Sequence, residues 1–141
     1  MTIDEIVSDF DDLGDAEDQL QYVIELGMSL PGLPSQLKTE ENRVQGCQSN
    51  VWLVARHGEE NPEKLVFEAD SDAIIVRGIV AVLLAAYSGR TSQEILDYPI
   101  DAVFAKLQLK RFLSPMRSNG LHSMVQRIRA LASLAAGEPS A

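Results

Sequence analysis

Cys47 is the only cysteine in the chain, and its neighbours favour a thiol presented at a turn. Gly46 precedes it, and a residue without a Cβ lets the backbone turn tightly. Gln48, Ser49 and Asn50 follow, so a polar segment separates the cysteine from the apolar residues beyond. A thiolate at such a turn is a nucleophile, whereas a buried cysteine acts as a small apolar side chain. The residues alone leave both interpretations open.

Other kinds of catalytic or metal site find little support in the sequence. Only two histidines are present, His57 and His122, and neither is close in sequence to Cys47. A cysteine hydrolase needs a base hydrogen-bonded to the thiol, and a tetrahedral zinc site needs several cysteine or histidine ligands. The glycine-rich motifs that bind phosphate groups are absent. We therefore expect neither a metal nor a cofactor.

Two charged residues at turn-rich junctions are further candidates for the site. Asp72 lies where a strand gives way to an apolar helix, so it is either a functional carboxylate or the N-cap of that helix. Arg117 lies in the turn-rich segment 113–120, where its guanidinium can bind a carboxylate on a substrate or partner. A solvated arginine is an equally good interpretation of that position.

The elements that must position Cys47 begin with two amphipathic helices. Apolar residues at helical spacing predict a helix over residues 2–13, which Thr2 and Glu5 begin as a capping box. A second helix is predicted to begin after the N-cap Asp15 and to end before Pro31. Residues 31–42 are then predicted to form a polar loop.

The middle of the chain has the composition of β-strands. Residues 43–45 and 50–56 are predicted strands on either side of the cysteine segment, and residues 65–68 are the returning strand. Together they predict a small antiparallel meander with a sharp turn at Gly46 and Cys47.

The rest of the chain is predicted to be helical. Residues 73–87 are apolar on nearly every face and are predicted to form a central buried helix, capped by Ser71 or Asp72. Three further helices are expected, beginning near Thr91, near Pro99 and near Asn119. The predicted class is therefore α+β, with a small antiparallel sheet packed against helices in a single domain over residues 1–141.

Charge and hydropathy exclude several classes of function. The chain carries a net charge of −9, which disfavours binding to a nucleic-acid backbone. The charge is unevenly distributed, since the acids are concentrated in residues 1–72 and the bases outnumber them in residues 73–141. This asymmetry favours either a protein partner or a solvated acidic face. The sequence contains no apolar run of membrane-spanning length and begins with an acidic segment, so we expect a cytoplasmic protein without a membrane span.

The segment Arg-Val-Gln-Gly-Cys-Gln-Ser-Asn-Val-Trp-Leu-Val at residues 43–54 resembles the active-cysteine segment of the SufE family. Members of that family are the sulfur acceptors of cysteine desulfurases. Further similar stretches follow in family order across nearly the whole chain, at residues 22–27, 71–73, 76–82 and 113–121. The connector at residues 57–64 and the acidic first helix are the segments where variation is expected.

The resemblance implies both a fold and a role. The fold would be a three-stranded antiparallel sheet with helices around it, similar to the scaffold proteins of iron–sulfur assembly. Cys47 would take sulfur from a pyridoxal-phosphate-dependent cysteine desulfurase, stimulate that enzyme and deliver the sulfur to an iron–sulfur scaffold complex. The chain itself would bind no pyridoxal phosphate, would act as a monomer or homodimer, and would have no turnover alone. The residues expected to support the cysteine are Gly46, Gln48, Asp72 and Arg117.

Two alternatives come from other classes of function. An iron–sulfur scaffold supplies several ligands to each cluster, usually cysteines, so a single cysteine counts against it. A plain interaction module would use Cys47 only as a structural residue. If the cysteine carries sulfur, we expect it to be sheltered beside the apolar residues 51–54 until the desulfurase binds. Such desolvation raises the pKa of a thiol.

Overall fold

The computed structural model describes residues 2–113 and 115–136, without the side chains of residues 110, 112 and 115–117. Two helices precede the sheet and four accompany or follow it within this part of the chain. The elements are α1 (Ile3–Leu13), α2 (Ala16–Met28), β1 (Val51–His57), β2 (Lys64–Ser71), α3 (Ile74–Tyr87), β3 (Arg90–Thr91), α4 (Ser92–Asp97), α5 (Ile100–Leu107) and α6 (Pro115–Ala135). Short 3-10 turns lie at Ser35–Leu37 and Leu109–Phe112. The predicted α+β class is confirmed.

The sheet is antiparallel, with strand order β1-β2-β3. Val51 of β1 lies opposite Ser71 at the end of β2, so the start of β1 adjoins the junction that leads into α3. The side chains of alternate residues are buried on one face, as the period of a strand requires. This face packs against α3 and α6, and its buried residues are Val51, Leu53, Leu65, Phe67 and Ala69.

The prediction of a strand at residues 43–45 is wrong. Only Arg43 forms an isolated bridge, opposite Trp52, and the third strand of the sheet is Arg90–Thr91. Gly46 has a φ of 86°, in the left-handed region that glycine adopts readily. The chain therefore turns away from β1 at this point, before a ladder can extend.

The predicted start of the last helix is also wrong, because α6 begins at Pro115 and not near Asn119. Proline suits the first turn of a helix, where its missing N–H would have no intrahelical partner. Gly120, which favours a turn in the sequence, is buried inside the helix instead. At this position the helix backbone lies beside the cysteine segment, and a Cβ would make ordinary van der Waals contact with Cys47.

Helices α2 and α3 pack unusually closely through two glycines. A Cβ on Gly27 would lie 2.6 Å from the backbone nitrogen of Gly78, and a Cβ on Gly78 would overlap the carbonyl oxygen of Val23. The predicted central helix is confirmed, with most of its length buried. Its N-cap position is held by Ala73, which makes no side-chain cap, so neither Ser71 nor Asp72 is the N-cap residue.

A buried carboxylate ties the loop after α2 to the sheet. Asp70, near the end of β2, accepts hydrogen bonds from the backbone nitrogens of Leu33 (3.2 Å) and Ser71 (2.8 Å). It also pairs with Lys38 at 3.0 Å and with Arg77 of α3. Burial alone would raise the pKa of Asp70, but the hydrogen bonds and the two cations outweigh burial and lower it.

Replacement of Asp70 by asparagine is expected to destabilise the fold by roughly 2–4 kcal/mol, since two partly buried cations lose their counter-ion. The pKa of the Asp70 carboxyl is lower in the folded than in the unfolded chain. Its contribution to the free energy of unfolding is therefore complete above the pKa of the unfolded chain, about 3.9. It is lost as the pH falls through the lower, folded value. Urea unfolding from pH 3 to pH 7 measures both effects.

The matched control for this experiment is Asp12→Asn, on the exposed side of α1. It is expected to change the free energy of unfolding by no more than about 0.5 kcal/mol. If Asp70→Asn changed the free energy of unfolding at pH 7 no more than the control does, the ion pairs of Asp70 would contribute little to the stability of the fold.

Candidate functional site

Cys47 lies in a loop whose two ends are joined to each other. The backbone nitrogen of Val44 donates to the carbonyl oxygen of Val51 at 2.8 Å, and that of Leu53 donates to Asn42 at 2.9 Å. These bonds close a neck around residues 45–50, which we call the cysteine loop. Closure of the neck fixes where the loop leaves the sheet.

The thiol of Cys47 is half-buried and faces helix α6. Its Sγ lies 3.4 Å from the carbonyl oxygen of Gly120, to which the S–H group donates a weak hydrogen bond. A Cβ on Gly120 would lie 3.5 Å from Sγ, an ordinary van der Waals distance, so the thiol packs directly against this turn of the helix. The surrounding pocket is largely apolar, and its lining residues are Gln48, Ser49, Val51, Val76, Gly120 and Met124.

The surroundings of Cys47 favour the neutral thiol. Burial raises the pKa of Cys47, while the charge of Arg43 acts in the opposite direction and lowers it. The carbonyl of Gly120 also favours a thiol that can donate over a thiolate that cannot. The sheltered cysteine expected from the sequence is therefore present, and its shelter comes from α6 and α3 as much as from β1.

Asp72 anchors the far end of the cysteine loop. Its Oδ1 accepts from the backbone nitrogen of Asn50 at 3.1 Å, and its Oδ2 accepts from the Asn50 side-chain amide at 2.9 Å. The hydroxyl of Ser71 donates to the carbonyl oxygen of Asn50 at 2.8 Å. Asp72 is thus a tether of the loop and not the cap of α3, a place that agrees with its expected position among the residues that support the cysteine.

The other residues that the sequence analysis considered for the site are placed differently relative to Cys47 and its pocket. Gly46 forms the turn next to Cys47, and Gln48 lines the pocket with its side chain exposed. The backbone of Arg117 lies in the first turn of α6, and its side chain lies outside the part of the chain that the structure describes. Neither His57 nor His122 is among the described residues that line the pocket.

Residues that sequence reasoning did not single out complete the site. A Cβ on Gly46 would lie 2.6 Å from the Oγ of Ser123, so this serine of α6 packs directly against the turn. One turn further along the helix, Arg127 donates to the carbonyl oxygen of Glu41 at 2.6 Å. Gly120, Ser123 and Arg127 share one face of α6, since they are three and four residues apart. That spacing is a signal in the sequence that could have found them together, and Gly120 also lies in the family-like stretch 113–121.

Within the described residues, no group of three or more histidine, cysteine, aspartate or glutamate side chains could hold a metal ion. Among the same residues, the helices are all too short or too polar to cross a membrane. The arrangement around Cys47 is instead a single thiol on a tethered loop, beside a small apolar pocket. After deprotonation, such a thiol is able to attack the S–S bond of a persulfide as a nucleophile.

Comparison with known proteins agrees with the family resemblance found in residues 43–54 and the other similar stretches. Residues 4–132 match the family model SufE, described as an Fe-S metabolism associated domain. The chain is 51% identical over 130 residues to an uncharacterized SufE-like protein of Rhizobium etli, covering 91% of this chain and 87% of the relative. It is 46% identical over 130 residues to another of Rhizobium meliloti, covering 92% and 93%. The resemblance found in the sequence is confirmed.

A solved structure shares the fold. The solution structure of a hypothetical protein from Thermus thermophilus has a TM-score of 0.76 against this chain, covering 98% of it and 100% of that protein. The two sequences are only 21% identical, so the likeness concerns the fold alone. It confirms the predicted packing of a small sheet against helices.

Replacement of Asp72 by alanine is expected to speed the alkylation of Cys47 in the free protein several-fold, because two hydrogen bonds that hold the cysteine loop are lost. Iodoacetamide labelling at fixed pH, followed by intact-mass spectrometry, gives the rate. Asp11→Ala, an exposed acid on α1, is the control and should label at the wild-type rate. Equal rates for Asp72→Ala and wild type would show that the tether does not restrain the loop.

Proposed function

The chain belongs to the SufE family, whose domain is associated with iron–sulfur metabolism, and we propose that it is a sulfur acceptor whose Cys47 takes up persulfide sulfur. The observation that carries the proposal is the single thiol at the tip of a tethered loop, beside an apolar pocket. Thiol–persulfide exchange needs a thiolate and access to the partner, and it needs neither a base nor a metal.

The transfer step balances without any other reactant. The Cys47 thiolate attacks the outer sulfur of the partner's persulfide and forms a new S–S bond. The old S–S bond breaks, and its electron pair leaves on the partner's cysteine as a thiolate. Cys47 then carries the persulfide, with its outer sulfur and that sulfur's proton, if present, unchanged. No net oxidation or reduction of the pair occurs.

The proposed donor is a pyridoxal-phosphate-dependent cysteine desulfurase, and the proposed receiver is an iron–sulfur scaffold complex. By removing the persulfide sulfur from the desulfurase, this chain would raise the turnover of that enzyme. Asp72 and Arg117 are proposed to tune this encounter or the placement of the cysteine loop. An iron–sulfur scaffold is the weaker candidate, since this chain has one cysteine and a cluster usually takes several.

The shelter around Cys47 fits a carrier that opens only on its partner. A persulfide in contact with small thiols would be lost by exchange, so a carrier benefits from a covered sulfur. The half-buried sulfur and the raised pKa of its thiol support this part of the proposal. Binding of the desulfurase would move the loop away from Gly120 and expose the thiol, with Gly46 as the pivot.

The direct test compares Cys47→Ser with the wild type. Wild type is expected to stimulate sulfide release by a cognate desulfurase and, after incubation with desulfurase and cysteine, to gain about 32 Da that a reductant removes. Cys47→Ser should bind the desulfurase but show neither effect, because it has no thiol to attack the persulfide. Full stimulation by the serine variant, or no reducible adduct on the wild type, would refute the carrier function.

A second test addresses the shelter of the thiol. Cys47 of the free protein should react slowly with iodoacetamide, and its rate should rise with pH through a midpoint above the ordinary value of about 8.5. Addition of a desulfurase that lacks its own reactive cysteine should speed the reaction, since the loop then leaves the pocket. If the free protein already reacts as fast as an unhindered model thiol, Cys47 is not sheltered.

A further inference from the structure

Two large apolar side chains are strongly exposed on the surface of the described part of the chain. Met28, the last residue of α2, is 73% exposed, and Ile74, the first residue of α3, is 64% exposed. Single exposed apolar residues are common on protein surfaces and need no explanation. These two are the most exposed large apolar residues in that part of the chain, so their positions relative to each other and to Cys47 matter.

The close contact of α2 with α3 brings Met28 and Ile74 to the same end of the helix pair. A Cβ on Gly27, the neighbour of Met28, would lie 3.0 Å from the Cβ of Arg77. Ile74 precedes Arg77 by three residues, which is less than one turn of α3. The Arg77 guanidinium also donates to the carbonyl oxygens of Gly27 at 3.2 Å and Leu30 at 2.8 Å, so the end of α2 is held beside the beginning of α3. We call Met28 and Ile74 the apolar pair.

The apolar pair lies beside the cysteine loop. Asp72 comes two residues before Ile74, and its backbone nitrogen donates to the carbonyl oxygen of Asn50 at 3.3 Å, in addition to the bonds of its carboxylate. Val76, two residues after Ile74, lines the pocket of Cys47. Ile74 is therefore flanked along the chain by a contact with the loop on one side and a contact with the pocket on the other.

The size of a protein interface indicates what covers this surface. The proposed transfer needs the sulfur of the donor in bonding contact with Cys47, so the donor protein must cover the surface around the cysteine loop. A standard interface buries about 800 Å² on each partner, which is a patch that extends roughly 15 Å from its centre. Two residues of chain span at most about 7 Å, so Ile74 lies no farther than that from the Cα atoms of Asp72 and Val76. A donor seated over Cys47 therefore reaches Ile74.

We propose that Met28 and Ile74 are an apolar anchor on which the persulfide-donating desulfurase docks, beside the loop that its sulfur must reach. The inference rests on the proposed sulfur-acceptor function and deepens it, because it names the surface that the partner uses. The desulfurase presents a complementary apolar surface next to its own reactive cysteine. Docking removes the two exposed side chains from water, and buried apolar anchors of this kind carry much of the binding energy of an interface.

The experiment measures the dissociation constant of the full chain for a cognate desulfurase by isothermal titration calorimetry. Ile74→Thr and Met28→Gln keep the approximate shape of each side chain and make it polar. Ile74→Thr is expected to raise the dissociation constant about tenfold and Met28→Gln about fivefold, as substitution of an interface anchor does. Stimulation of sulfide release at saturating concentrations of each variant should equal that of the wild type. Half-maximal stimulation should shift to higher concentration in proportion to the dissociation constant.

The control is Leu134→Gln, which changes another exposed apolar side chain, 55% exposed, near the end of α6. Its dissociation constant should stay within about twofold of the wild type, as for an ordinary surface substitution. Iodoacetamide should label Cys47 of all three free variants at the wild-type rate, since the bonds that hold the loop to Asp72 and Gly120 are retained. Urea unfolding checks that each variant is as stable as the wild type.

Wild-type dissociation constants for both Ile74→Thr and Met28→Gln would overturn the inference, and so would an equal loss of affinity in Leu134→Gln. A loss of stimulation at saturation without a change in affinity would also overturn it, because the pair would then act on transfer and not on docking. Sedimentation of the free chain tests a second copy of this chain as the occupant. If the two substitutions dissociate a dimer and leave the affinity for the desulfurase unchanged, the pair joins two copies and the inference is wrong.

Failure of the inference and failure of the proposed function give different results. If the wild type takes up sulfur and the substituted pair binds the desulfurase normally, only the docking surface is refuted. A wild type that binds the desulfurase through the pair but takes up no sulfur would sustain the docking surface and refute the acceptor function. A wild type that does not bind the desulfurase would refute both.

Discussion

The register between β1 and β2 is the constraint on which the site depends. Because Val51 lies opposite Ser71, the residue before β1 meets the residue after β2, and Asn50 binds Asp72. A shift by one residue would turn the apolar side chains of β1 to the other face of the sheet. It would also separate the tether from the loop. Burial of the sheet's core face therefore fixes the position of the segment that carries Cys47.

The proposed function places two opposed requirements on the sulfur atom of Cys47. Shelter in an apolar pocket protects a bound sulfur but raises the pKa of the thiol, which lowers the fraction present as thiolate. Nucleophilic attack requires the thiolate, and thus a cation or solvent near the sulfur. Helix α6 offers the carbonyl of Gly120, which accepts a hydrogen bond from the neutral thiol, so the surroundings of Cys47 in this structure favour the first requirement.

Much of the fold and the centre of the site were predictable from the sequence, because both depend on local patterns. Helices α1, α2 and α3 could be predicted from the pattern of apolar residues, and the start of α4 from the capping box at Thr91. The residues around Cys47 indicated it as the candidate thiol. The third strand was not predictable, since Arg90–Thr91 is two residues long and exists only by pairing with β2. The start of α6 was missed because tertiary packing placed a turn-forming glycine inside a helix.

The attachments of the cysteine loop are unequal, and this inequality indicates how the loop can open. At Asn50 the loop is held through two hydrogen bonds to Asp72 and one from Ser71. Toward α6 it is held at its tip by a weak S–H bond to Gly120 and by contact of Gly46 with Ser123. Contacts of that kind cost little to break compared with the tether. If the loop opens as proposed, the tip should therefore leave α6 while Asn50 stays in place, so that Cys47 moves outward on a loop that is still held at its far end.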